Sequence, residues 1–279
     1  MCSVRPSTVP ELPEVETTRR GIEPHVLGVR VTEVIVRRGD LRQLVSKDLS
    51  AIEGRKVLKV GRRSKYLLLG TDDGGTVLIH LGMSGSLRVI PPSDPWKTHD
   101  HVGITLTNGK QLRFHDPRRF GLVLRLTGEP MEHALLKNLG PEPLEDDFTA
   151  AHLQAACAKR SAAIKPVIMD AKVVVGVGNI YASEALFRAG ILPRTAAKRV
   201  SKPRLAKLVK AIRDVLTDSI KEGGTTLRDF LHSDGEPGYF KQRLFVYERK
   251  GEPCRVCKTP IRHAVLGQRS TYWCPKCQK

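Results

Sequence analysis

The hydrophobic positions change their period twice along the chain. Residues 12–27 carry Leu12, Val15, Ile22 and Val26 near helical spacing, with Pro13 in a first-turn position and Glu14 and Glu16 close to the start. The segment predicts a helix that Pro24 bends or ends. From about residue 29 to 128 short β-branched runs take over: Val31–Val36, Val57–Val60, Tyr66–Leu69, Val77–Leu81, Leu87–Ile90, His101–Leu106 and Gln111–Phe114. Gly, Asn-Gly and Asp-Gly turns separate them, which predicts antiparallel sheets packed as a sandwich. The acidic, Pro-bearing stretch from Gly140 to Asp147 marks a boundary, and Ala150 to Thr217 returns to helical spacing, broken at Val175–Asn179 and at Ile191–Pro193. Residues 223–240, rich in Gly and poor in aliphatics, read as a mobile loop of the kind that carries recognition. The fold class expected is α+β, a β-sandwich with a helix followed by a small helical domain.

Charge narrows the function. The 279 residues hold 47 Lys and Arg against 29 Asp and Glu, a formal net charge of +18 spread along the chain. Such an excess points to a polyanion, and nucleic acid is favoured over an anionic membrane because phosphate neutralisation releases counterions. No run approaches the roughly 18 apolar residues of a membrane helix, and the first thirty residues lack the apolar core of a secretory signal. A cytoplasmic protein is expected, and a monomer, since no segment resembles a dimerising one.

Four of the six cysteines fall as Cys254-x-x-Cys257 and Cys274-x-x-Cys277. Each pair places two thiolates on one side of a tight turn, and two such turns at the ends of a hairpin complete a tetrahedral site, so one structural zinc is expected. The competing reading is four reduced core cysteines, which the flanking Pro253, Lys258, Pro275 and Lys276 disfavour. Cys2 and Cys157 receive no role.

The stretch Pro10-Glu11-Leu12-Pro13-Glu14-Val15-Glu16-Thr17-Thr18-Arg19-Arg20-Gly21 resembles the start of the bacterial formamidopyrimidine-DNA glycosylases, which excise oxidised purines. The likeness continues through Arg63-Ser-Lys65-Tyr66, His80-Leu-Gly-Met83-Ser-Gly85, Asp116-Pro-Arg118-Arg119-Phe120-Gly121, Val177-Gly-Asn179-Ile180-Tyr181 and Gly223-Gly-Thr-Thr-Leu-Arg228-Asp-Phe230, and ends in the cysteine hairpin. It implies a β-sandwich, a helix, two turns, helix motif and a zinc hairpin, with duplex DNA carrying oxidised bases or abasic sites as partner.

The resemblance implies Pro10 as nucleophile, and the residue suits the role. A secondary amine attacking a sugar carbon yields an iminium that is cationic without further protonation, an electron sink for eliminating the neighbouring phosphate. An α-amino group titrates near ~8 against ~10.4 for lysine, so a neutral fraction exists at physiological pH. Taken alone, Pro10 and Pro13 merely start a helix. Glu11 is implied as general acid and base, although a glutamate at a helix start is more often a dipole partner, and Glu14 is implied in support. Lys65 is implied near the reaction centre, against the plainer reading of a solvated charge run after Arg62 and Arg63.

A glycosylase must rotate its nucleotide out of the stack and fill the gap. The resemblance assigns the filling to Met83, Arg118 and Phe120; a thioether and a ring replace stacking while a guanidinium bonds the widowed base. Met and Phe near strands are otherwise usually core. DNA contacts are implied at His99, Arg118, Lys165 and Asn179, the last in a Gly-rich turn suited to gripping a phosphate, whereas a lone helix lysine is generally just solvated. Arg269, just past Leu266-Gly-Gln268, is implied as a long cation beside the flipped site.

The expected divisions are 1–9, an extension; 10–139, the catalytic sandwich; 140–250, the helical DNA-binding domain with its loop 223–240; and 251–279, the zinc hairpin. One departure from the family matters. Pro10 stands behind Met1-Cys-Ser-Val-Arg-Pro-Ser-Thr-Val9, and an internal proline nitrogen is a tertiary amide that forms no Schiff base. A wrong start is favoured over removal of the nonapeptide or a catalytically dead chain, because a valine codon can initiate in bacteria and initiator methionine is readily removed before proline. The rival functions are an endonuclease VIII-like enzyme for oxidised pyrimidines, a non-catalytic damage-binding zinc protein, and an RNA-binding ribbon protein.

Overall fold

A computed structural model of the chain describes residues 10–226 and 244–279; the expectations for residues 1–9 and for residues 227–240 of the loop lie outside the described residues. The chain divides into two compact units, one running to Lys137 and resuming at Glu222, the other formed by Asn138–Lys221 and the C-terminal segment to Lys279. Among the described residues no helix is long and apolar enough to cross a membrane.

Among the described residues the first unit holds α1 (Leu12–Val26) and eight strands: β1 (Val31–Val36), β2 (Val57–Arg63), β3 (Tyr66–Thr71), β4 (Thr76–His80), β5 (Ser86–Ile90), β6 (Asp100–Leu106), β7 (Gln111–His115) and β8 (Leu122–Leu126). They form two four-stranded sheets, ordered β1-β6-β7-β5 and β2-β3-β4-β8, antiparallel throughout. Leu67, Leu69, Val77 and Ile79 of one sheet meet Val89, Val102, Ile104 and Phe114 of the other in a single apolar cluster, which Val15, Ile22 and Val26 of α1 complete. Burial of these β-branched and aromatic side chains holds the sandwich together. Pro24 does not end α1, because it lies in the last turn, where Leu27 still donates to the Glu23 carbonyl at 3.0 Å. Strand β8 is absent from the runs that the sequence predicts: it follows a loop instead of a tight turn and pairs with β4, with Leu124 opposite Leu78.

The second unit contains α2 (Ala150–Cys157), α3 (Ile164–Met169), α4 (Asn179–Arg188), most of α5 (Lys202–Thr226), and the hairpin β9 (Arg262–Leu266) and β10 (Arg269–Trp273). Thr149 caps α2, its hydroxyl accepting from His152 N–H at 3.1 Å. Phe148, Leu153, Ile168, Tyr181 and Leu186 pack with Leu208, Ile212 and Leu216 of α5. The expectation of helix only to Thr217, with a loop from residue 223, is corrected: α5 runs on to Thr226. Its buried stripe Leu205, Leu208, Ile212, Leu216 extends to Ile220, and this packing outweighs the cost of about 1 kcal/mol for each glycine in the final turn.

Candidate active site and zinc centre

In the first unit the start of α1 is built around Pro10 and Glu11, both buried. Glu11 is the N-cap and shares a reciprocal capping box with Glu14, in which Glu14 Oε2 accepts from Glu11 N–H at 2.9 Å. The peptide that follows Pro10 is thereby fixed from two sides. Glu16, to which the sequence assigns nothing beyond the helix start, bonds Arg62 on β2 at 3.2 Å as well as Arg19 and Arg20. Burial pushes the Glu16 carboxyl up, but the bonds from Arg19 and Arg20 and the charges of Arg19 and Arg62 outweigh it and hold it below its ordinary value. Arg62 in turn donates to the Ser64 carbonyl at 2.8 Å, and Ser64 takes a left-handed φ of 55° in the turn that presents Lys65. Thus a chain of charge-assisted bonds ties α1 to the Lys65 turn.

Beside that turn lies His80, its ring 4.8 Å from Tyr66. Burial, together with the charges of Arg42 and Lys65, pushes its imidazole down to about 4, so it is neutral at pH 7. Its Nδ1 accepts from Gly82 N–H at 2.9 Å, at the start of the turn carrying Met83. Met83 is half-buried, while Arg118 and Phe120 are exposed, the guanidinium carbon 4.9 Å from the centre of the Phe120 ring. Phe120 is 42% exposed and therefore no core residue. His99 is exposed as well, its ring edge-on to His101 and His115 at 6.4 and 5.9 Å. Met83, Arg118, Phe120 and His99 thus stand on neighbouring loops of one unit.

In the second unit Asn179 is the first residue of α4 rather than part of the preceding turn. Its Oδ1 accepts from Lys165 Nζ at 2.6 Å, and the same ammonium donates to the Ser270 carbonyl and to Thr271 Oγ1, both at 2.9 Å. Lys165 is 1% exposed, so the solvated helix lysine gives way to a buried cation that locks the Asn179 amide to β10. Arg269 is exposed at the start of β10, directly after a turn in which Gly267 and Gln268 have φ of 56° and 60°. Two consecutive positive φ values are those of a type I′ hairpin, and they fix the arginine at its tip.

The hairpin ends in the cysteine cluster. Among the described residues Cys254, Cys257, Cys274 and Cys277 bring their sulfurs within 4.8 Å of one another, with 3.9 Å between Cys254 and Cys277 and 3.4 Å between Cys257 and Cys274. Tetrahedral zinc with Zn–S near 2.3 Å requires sulfurs about 3.8 Å apart, so the donor set fits one ion. Hydrogen bonds from Thr259 bring the Cys257 thiol down to about 6, while burial pushes Cys274 and Cys277 up. Cys254, Cys274, Ile261 and Val246 pack against Phe187 of α4. The zinc is structural: every ligand is a cysteine, and no position is left for a substrate.

Comparison with known proteins agrees with this geometry. Residues 9–123 match the formamidopyrimidine-DNA glycosylase N-terminal domain, residues 139–231 the formamidopyrimidine-DNA glycosylase H2TH domain, and residues 251–279 the zinc finger found in FPG and IleRS. The formamidopyrimidine-DNA glycosylase of Cronobacter sakazakii is 56% identical over 271 residues, 97% of this chain and 100% of the relative. That of Escherichia coli K12 is 55% identical over the same span. Among solved structures, the MutM (Fpg) protein of Thermus thermophilus superposes with a TM-score of 0.83 at 38% identity, covering 96% of this chain and 98% of that one. The Lactococcus lactis Fpg bound to DNA containing FAPY-dG gives 0.87 at 29% identity, covering 96% and 100%. With the N-terminal, H2TH and zinc-finger domains all matched and a relative 56% identical over nearly the whole chain, the chain belongs to the formamidopyrimidine-DNA glycosylase family.

Proposed function

We propose that the chain is a bifunctional DNA glycosylase and lyase of base excision repair, which removes 8-oxoguanine and formamidopyrimidines from duplex DNA and then cuts the strand. The observation that carries this reading is the start of α1, where Pro10 and Glu11 are buried at a helix N-terminus and the adjoining peptide is held by Glu14. In the proposed reaction the Pro10 nitrogen bonds the sugar C1′ and the bond to the damaged base breaks. The ring oxygen then leaves as a hydroxyl with a proton from Glu11, giving a cationic Schiff base. Loss of a C2′ proton into that electron sink expels the 3′ phosphate, and a second elimination expels the 5′ phosphate. The positive end of α1 disfavours the protonated amine and so favours attack.

This chemistry needs Pro10 as a free secondary amine, so the proposal includes a working N-terminus at Pro10, with residues 1–9 absent from the active protein. Met83, Arg118 and Phe120 fill the gap left by the extruded nucleotide. Asn179, Arg269 and His99 hold the DNA, and Lys165 acts through Asn179. The partner is damaged duplex DNA, and the setting is the bacterial cytoplasm around the nucleoid. The relatives' names, and the FAPY-dG in the DNA of a similar solved protein, favour purine lesions. Comparing excision of 8-oxoguanine opposite cytosine with excision of thymine glycol tests the reading: the first is expected to dominate, and faster release of thymine glycol would favour the pyrimidine-directed branch.

A further inference from the structure

One carboxylate in the first unit gathers every loop assigned to base extrusion. Asp116 is 0% exposed, and all four of its hydrogen-bonding groups are engaged. Its N–H donates to the His99 carbonyl at 2.9 Å and its own carbonyl lies 2.8 Å from His101 Nε2. Its Oδ1 accepts from the Ser84 hydroxyl at 2.6 Å and its Oδ2 from Gly121 N–H at 2.8 Å. Ser84 Oγ accepts in turn from Arg118 N–H at 3.1 Å. A single buried side chain is thereby bonded to the residue after Met83, the residue after Phe120 and, through Ser84, the backbone of Arg118.

The two filling loops also touch directly. A Cβ on Gly82 would meet the Gly121 nitrogen and the Phe120 carbonyl carbon at 2.4 Å, so backbone packs on backbone with no side chain between. Arg119, at a φ of 58°, lets the chain reverse between Arg118 and Phe120, and its guanidinium is anchored on Asp40 at 2.5 Å. A hydroxyl and a backbone N–H donating to one buried carboxylate, at 2.6 and 2.8 Å, give short, directional bonds. Such bonds are suited to keeping a thioether, a guanidinium and a ring in the one arrangement that enters a base stack together. Two loops ordered only on DNA contact would lose that freedom at the moment of extrusion.

We propose that Asp116 and Ser84 are positioning residues for nucleotide extrusion, forming a bracket that holds Met83, Arg118 and Phe120 as one preassembled wedge. The proposal rests on the reading that these three residues fill the gap. The test follows binding to duplex DNA in which a fluorescent cytosine analogue stands opposite 8-oxoguanine, a signal of opening that does not depend on the nucleophile, and compares it with strand cleavage at a pre-formed abasic site. Ser84→Ala is expected to slow opening about tenfold, the scale of one lost buried hydrogen bond, with abasic-site cleavage changed less than about twofold. Ser84→Thr, which keeps the hydroxyl, is expected to restore opening, and the melting temperatures of both variants serve as the control for folding. Opening that is unchanged in Ser84→Ala, parallel loss on both substrates, or failure of threonine to rescue would overturn the bracket. Phe120→Ala separates the two levels: if it leaves opening unchanged, the gap-filling reading falls and the bracket with it, whereas slow opening in Phe120→Ala with normal opening in Ser84→Ala removes the bracket alone.

Discussion

Replacing Lys165 by methionine tests whether this cation grips DNA itself or acts through Asn179. The side chains are close in length, so packing beneath α3 is largely kept while the ammonium is lost. Among the described residues it donates to three acceptors, Asn179 Oδ1, the Ser270 carbonyl and Thr271 Oγ1, at 2.6 to 2.9 Å. At roughly 1.5–3 kcal/mol for a hydrogen bond to a charged group, the gross loss is about 5–9 kcal/mol. Several kcal/mol return because an ammonium need no longer be desolvated. The net expectation is a loss of roughly 2–4 kcal/mol in unfolding free energy, read as a lower urea midpoint with unchanged slope. DNA binding then decides the role. A lysine that neutralises a phosphate reduces the slope of log K against log salt by about 0.9 when removed. A lysine buried at 1% exposure releases no counterion, so weaker binding with an unchanged salt slope is expected. A slope reduced by about one, or a stability loss below about 0.5 kcal/mol, would refute the reasoning.

Glu16→Gln is expected to lower stability by roughly 1–2 kcal/mol at pH 7. Because the folded carboxyl titrates below its unfolded value near 4.5, its contribution is complete above that value and fades as pH falls through the folded pKa, so the wild type and variant should converge in acid; a difference that persists there would contradict the Arg62 and Arg19 pairing. Removing zinc with a chelator, or replacing all four cysteines by serine, is expected to unfold the hairpin and abolish tight DNA binding, with one zinc per chain found by metal analysis before treatment. The paired change Arg118→Ala and Phe120→Ala is expected to cut excision from duplex DNA far more than cleavage of a pre-formed abasic site, measured under single turnover. Equal losses on both substrates would discard the gap-filling assignment.

What can be read from the chain follows from how local each signal is. The stripe Leu12, Val15, Ile22 and Val26 is buried as its spacing implies, and the cysteine pairs are legible because each Cys-x-x-Cys turn closes on itself. The burial of Lys165, by contrast, is created by β10, more than a hundred residues away in sequence. From the sequence alone, a lysine beside Ile164 and Pro166 looks solvated. Glu16 and Arg62 are 46 residues apart, and nothing in a glutamate near a helix start names its partner. Asp116 stands in the sequence only as part of a motif, because its bond to Ser84 spans 32 residues. Strand β8 is hidden for the same reason, since its partner β4 lies far upstream. Local periodicity carries the elements, and the site is made by contacts between them.

The central claim, a proline amine that becomes covalently attached to the sugar, is tested most directly by borohydride trapping on DNA containing an abasic site. Two forms of the protein are compared, one beginning at Pro10 and one retaining residues 1–9, with the cross-linked residue located by mass spectrometry. A stable adduct on Pro10 is expected in the short form and none in the long form, whose proline nitrogen is a tertiary amide. Equal trapping and incision by the intact 279-residue chain, or an adduct mapped to Lys65, would contradict it.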